Sequence, residues 1–250
     1  MLFSMLAHKV FSASSDGTGS HTCNLESSSG TSMSCPAVAG SAAMVRQYLT
    51  DDSFYALDVK SRGLCGEGSM FSCDGFAPSA ATVKAMLINS ANLMGGSAQP
   101  DGFRGFGRVH LEAGIPLNGE GAMALFVADS ANTSISEYST TSYAFQVDAS
   151  ADLDLRATLS WLDPPSPTMA VVKLQHDLDL TVTSPHGDDY TMWGFGVTDS
   201  ANNNERVIAP STFLFNGVWT VTVSSKALLT ETQGYSLVVT GAISDAMSGK

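Results

Sequence analysis

Charge is scarce in this 250-residue chain: Asp, Glu, Lys and Arg together make up 14 % of it. Basic residues are the scarcer sign, 12 against 24 acidic ones, for a formal net charge of −12. Nucleic acid is bound through clustered Lys and Arg, so no such partner is expected. No apolar run approaches the ~18 residues of a membrane span, and no membrane partner is expected either. The opening MLFSMLAHK has a short apolar stretch without a basic lead, a longer apolar core or a cleavage site. It does not read as a signal peptide. Cysteine is sparse as well: Cys23, Cys35, Cys65 and Cys73. No Cys-x-x-Cys or paired His points to zinc. Cys65 and Cys73 flank a Gly/Ser-rich loop that a local disulfide can close, worth roughly 2–3 kcal/mol in the entropic picture. The pairing of Cys23 and Cys35 stays open.

What is abundant is apolar: hydrophobic residues make up 44 %. The chain is therefore globular, with room for one large domain or two ordinary ones. Residues 1–31 are polar, rich in Ser and Gly, with a short strand at Val10–Ala13. PAVAGSAAMVRQYL (36–49) predicts a helix with Pro in its first turn. Its small residues Ala39, Gly40 and Ala43 suggest close packing and a buried helix. Residues 50–78 read as loop. Ser79 is an N-cap for a second helix, ATVKAMLINSA. GFGRVHLEAG (105–114) reads as a short strand or turn before a last helical turn. Near residue 118 the texture changes from helical spacing to period-two alternation. YAFQVD, LRATLSW, LDLTVTS, WTVTVSS and YSLVVT all read as strands. The expected architecture is a partial α/β domain over 1–118, then an all-β sandwich or jelly roll over 119–250.

The most constrained stretch is Gly30-Thr31-Ser32-Met33-Ser34-Cys35-Pro36-Ala37-Val38-Ala39-Gly40. It resembles the serine-nucleophile signature of the subtilase family at every defined position. SAATVKAMLINSANLM (79–94) and GFGRVHLEAG resemble the elements that follow the nucleophile in that family. LSWLDPP, HDLDLTVTSPHG, NNNERVI and GYSLVVTG resemble the C-terminal β-domain of one group of alkaline subtilases. The resemblance implies a serine endopeptidase, Ser32 as nucleophile, a protein or peptide substrate and an extracellular setting.

That resemblance also implies an Asp, a His and an oxyanion Asn placed before the serine. Only 31 residues precede Ser32. Asp16 lacks a preceding apolar strand, and His21 lacks the family's His-Gly-Thr-His setting. Asn24 lies too near Ser32 for the oxyanion role. His8, His110, His176 and His186 read as structural or surface residues. The expectation is a fragment inactive by itself. The alternative is a non-catalytic secreted protein whose β-domain binds or stabilises a partner. In HDLDL, Asp177 and Asp179 alternate with Leu178 and Leu180, so both carboxylates share one strand face. With loop acids such as Asp199 and Glu205 they offer hard oxygens suited to calcium. Asp177, Asp179 and Asp199 are the candidate ligands.

Overall fold

The computed structural model describes residues 7–14, 24–94, 100–102, 104–117, 121–192, 194 and 197–246. Two antiparallel strands open it, β1 (Ala7–Ser14) and β2 (Asn24–Gly30). Helix α1 (Thr31–Thr50) follows directly, then the short α2 (Tyr55–Ser61) and α3 (Ala80–Asn89). Ser79 caps α3 as its sequence suggests, its side chain accepting from the Thr82 N–H. The helix α2 lies inside the stretch that reads as loop. It has only seven residues and no side-chain cap at Phe54. What holds it is tertiary: Tyr55, Ala56 and Val59 are buried, and Asp58 pairs with Arg62 at 2.9 Å. Cys65 and Cys73 are disulfide-bonded in the loop that follows.

Ten further strands follow among the described residues: β3 (Ala124–Ala128), β4 (Ser134–Ser136), β5 (Thr140–Val147), β6 (Leu155–Trp161), β7 (Asp177–Thr183), β8 (Asp189–Tyr190), β9 (Asn204–Ala209), β10 (Gly217–Ala227), β11 (Thr232–Gly241) and β12 (Ile243–Asp245). They form two antiparallel sheets, β12-β5-β10-β7-β8 and β3-β11-β6-β9, with β4 paired to β11. In β10 the residues Trp219, Val221 and Val223 are fully buried while Thr220 and Thr222 between them are half-exposed. This is the alternation of a sheet with one covered face. In β6 the apolar set Leu155, Ala157, Leu159 and Trp161 is also fully buried. Its polar set, Thr158 and Ser160, is buried too. The cover on that second face is α3, which packs on β6 and β11.

Polar groups stitch this contact. Asn89 donates from Nδ2 to Thr240 at 2.7 Å and accepts from Thr158 at 3.0 Å. The Thr82 hydroxyl lies 2.7 Å from both Asp129 Oδ2 and Ser236 Oγ. Arg206 on β9 donates to the carbonyls of Ile88 and Ala91 at the end of α3. A single apolar cluster runs from Val45, Tyr48 and Leu49 of α1 through Met86 and Leu87 to the inner faces of the strands. The textural change near residue 118 therefore marks a switch of secondary structure and not a gap in the core.

One expectation is corrected here. Ala39, Gly40 and Ala43 of α1 are exposed, and nothing lies within 4 Å of where a Gly40 Cβ would stand. The helix buries Ser34, Val45, Tyr48 and Leu49 instead, so its packing is concentrated in the last turns.

Candidate active site and acidic cluster

β2 ends at Gly30 and α1 begins at Thr31, which makes Ser32 the second residue of a 20-residue helix. The change of direction occurs at Gly30, with φ +143°, a backbone that side chains strain to adopt. Ser34, one turn below the junction, donates from Oγ to the Gly30 carbonyl at 3.3 Å and ties the first turn to the strand end. The Ser32 side chain is exposed. First-turn N–H groups lack intrahelical partners, and the positive end of the helix dipole favours negative charge. Negative charge placed beside Ser32 would therefore be stabilised by the helix itself.

A serine hydroxyl needs a base to become a strong nucleophile. The histidines whose side chains are described are engaged elsewhere. His110 Nε2 lies 3.6 Å from Glu112, and His186 meets the Phe215 ring edge-on at 4.7 Å. His176 is buried, with Nδ1 hydrogen-bonded to Gln233 and Nε2 to Thr230. Asp16 and His21 lie outside the described residues, as does the side chain of His8. Asn24 opens β2, and its side chain is likewise outside.

The acids of HDLDL are brought together with others. Leu178 and Leu180 enter the core, while Asp179 pairs in register with Ser224. Asp179 and Asp199 are buried and Asp177 half-buried. Asp199 accepts from the backbone of Ala201 and Asn202. Glu205 lies on β9 and not in a loop: its Oε2 accepts the Leu180 N–H at 2.6 Å, linking strands of the two sheets. On a strand Glu205 shares the face of Val207 and Ala209, both buried, but NERVIA shows no alternation, three polar residues preceding three apolar ones, so little in the sequence signalled it. Burial, first, and then the charges of Asp179, Asp199 and Asp177 push the Glu205 carboxyl up to about 9, against the Leu180 hydrogen bond. Burial and Asp179 likewise raise Asp177. Lys226 lies 2.8 Å from Asp179. Burial lowers its ammonium, but Asp179, Asp177 and Glu205 outweigh that and raise it. Asp177 Oδ1, Asp179 Oδ1 and Glu205 Oε1 are buried without hydrogen-bond partners. Among the described residues no three His, Cys, Asp or Glu side chains are arranged to enclose a metal ion.

Comparisons with known proteins single out the same part of the chain. Residues 7–107 match the model of the subtilase family. A Dictyostelium discoideum protein named serine protease/ABC transporter B family protein tagA is 29 % identical, over 76 % of this chain and 10 % of its own length. Its counterpart named tagD, from the same organism, is 26 % identical over 69 % of this chain and 11 % of its own length. The chain thus spans about a tenth of the length of the curated relatives it matches. The serine motif, its seat at a helix start and the family match all fall on one segment, so residues 7–107 are similar to the subtilase family.

Proposed function

We propose that this chain is the nucleophile-bearing part of a subtilisin-like serine endopeptidase, acting on protein or peptide substrates through an acyl-enzyme on Ser32. In this reading a histidine takes the Ser32 proton, Oγ attacks the scissile carbonyl carbon, and the resulting oxyanion meets the Ser32 N–H. The observation that carries it is the exposed Ser32 in the first turn of α1, inside the family-matched segment. No described side chain supplies the base, so we infer that the chain by itself turns over peptides at background rates. Loss of triad members in subtilisin costs about 10⁶-fold in turnover, which sets the scale. The test is hydrolysis of a fluorogenic peptide and labelling by a fluorophosphonate, each against Ser32→Ala. Neither should depend on Ser32 in the isolated chain. Stoichiometric labelling at Ser32 would mean that a histidine within the 250 residues, with His21 the first to substitute, serves as base. The same lack of a base favours a second reading, in which the two-sheet unit binds or stabilises a partner outside the cell. The Cys65–Cys73 disulfide supports an extracellular setting in either reading.

For the acidic cluster we propose calcium as a loosely held stabilising counter-cation beside Asp177, Asp179 and Asp199, whose described side chains are not gathered into an enclosing cage. The donors are hard oxygens, and the unpartnered oxygens of Asp177, Asp179 and Glu205 support the assignment. Lys226 competes for the same charge. Calcium should raise the melting temperature by mass action and a chelator should lower it. Identical melting curves in the two conditions would leave Lys226 as the sole counter-charge.

A further inference from the structure

Of all the asparagines in the chain, only Asn132 is followed two positions on by Ser or Thr, in Asn132-Thr133-Ser134, and the residue between is not proline. That pattern is the acceptor sequence for N-linked glycosylation, which needs a surface loop of a secreted protein. The fold puts it on such a surface. Asn132 and Ser134 are both exposed. They sit where the turn after β3 runs into β4, in which Ile135 is buried while Ser134 and Ser136 are exposed.

The backbone of that turn is fixed from beneath. The Asn132 N–H donates to the Asp129 carbonyl at 3.0 Å, and the Ala131 N–H to Asp129 Oδ1 at 2.7 Å. The Thr133 carbonyl accepts the Tyr235 N–H at 3.2 Å. The Asn132 side chain takes no part in this, since among the described residues its amide has no hydrogen-bond partner. An oligosaccharide on Nδ2 therefore breaks no bond of the native fold. A separate observation points to the compartment. The Cys65–Cys73 disulfide belongs to oxidising surroundings such as the secretory lumen, where sugars of this kind are attached.

We propose that Asn132 is an N-glycosylation site, its amide the acceptor for an oligosaccharide carried on a polyprenyl diphosphate. In the transfer Nδ2 attacks the anomeric carbon, a nitrogen–carbon bond forms, and the carbon–oxygen bond to the diphosphate breaks. The polyprenyl diphosphate leaves with the electron pair, and the amide gives up one proton to the transferase. Ser134 supplies the hydroxyl that completes the acceptor sequence. The inference rests on the extracellular setting proposed above and not on the peptidase activity of Ser32.

The test is the full chain directed into the secretory route of a eukaryotic host. Mass spectrometry reads it with and without peptide N-glycosidase, in secreted and cell-retained fractions alike. The parent should carry one N-glycan, whose enzymatic removal leaves Asp in place of Asn132. Asn132→Gln and Ser134→Ala should each lose the glycan completely. Ser134→Thr should keep it, and Ser32→Ala should carry it as the parent does. Asn132→Gln should keep the circular-dichroism spectrum and melting temperature of the enzymatically deglycosylated parent, because the side chain holds nothing in the fold. A parent that forms the Cys65–Cys73 disulfide but carries no glycan overturns the site and leaves the extracellular setting standing. A parent with neither overturns both. A glycan that survives Asn132→Gln overturns the assignment to this residue.

Discussion

Asp129 shows how much one buried carboxylate organises. It lies between β3 and β4 and is 7 % exposed. It accepts the N–H of Ser79 and of Ala131, both at 2.7 Å, along with the Thr82 hydroxyl. Ser79 and Thr82 belong to the capped start of α3, so this side chain fastens the helix to the sheet it covers. Burial alone would raise its pKa, but the hydrogen bonds from Ser79, Thr82 and Ala131 outweigh burial and lower it. The folded-state pKa is thus below the unfolded one. The stabilisation is present above the unfolded carboxylate value of about 4 and is lost as pH falls through the folded value. Asp129→Asn keeps the shape but turns an acceptor into a donor facing other donors. It should cost about 2–3 kcal/mol at neutral pH, on the scale of hydrogen bonds to charged groups. It should also flatten the acid limb of the stability curve. Urea melts at a series of pH values check both, and an unchanged acid limb would show that Asp129 carries no proton-linked stability.

At the scale of elements, the end of α3 depends on a residue 115 or more positions away in the chain. Arg206 donates from one nitrogen to Ile88 and Ala91, and its guanidinium lies 5.3 Å from the centre of the Phe106 ring. Burial, helped by the nearby Arg156, lowers it to about 10, and it stays charged at neutral pH. Arg206→Ala should destabilise by about 2–4 kcal/mol, because it removes charge-assisted bonds to helix carbonyls inside the protein. Arg206→Lys should recover less than half, since an ammonium cannot reproduce a flat guanidinium lying over a ring. Chemical denaturation decides it, and full rescue by Lys would reduce Arg206 to a point charge. Elements of this kind mark where the sequence was readable. The strands LRATLSW and WTVTVSS announce themselves by alternation, and Ser79 announces α3. Besides α2, two features stayed hidden. The polar face of LRATLSW looks solvent-facing, because nothing local says that a helix from residues 80–89 will cover it with hydrogen bonds of its own. The run AMALFVA has no alternation, so β3 could not be told from a buried helix segment. Ser32 was legible because its constraints are local, a glycine turn and a helix start. The acidic cluster was legible only in part, because Glu205 joins it from the other sheet.

For the molecule as a whole, the question is where it comes apart. The change of texture near residue 118 makes a resistant fragment beginning there the sequence-based expectation. The packing argues for a different cut. Removing everything before residue 119 would strip α3 from β6 and β11 and leave Thr158, Ser236 and Thr240 without the partners that Thr82 and Asn89 provide. It would also leave Asp129 without Ser79 and Thr82. The exposed loop between β6 and β7 is a far easier target, with Met169 at 92 % and Val171 at 97 % exposure. The strands β1 and β2 are a second one, since an isolated two-stranded sheet is marginally stable and Phe11 and Leu25 stand exposed on it. Limited proteolysis followed by mass spectrometry should therefore show early cuts in 163–175 and before Thr31. The most persistent product should begin ahead of Ala80 and keep α3 on its sheet. A stable product beginning near residue 119, with α3 released, would show instead that the seam is weaker than its hydrogen bonds imply and that the two-sheet unit stands alone.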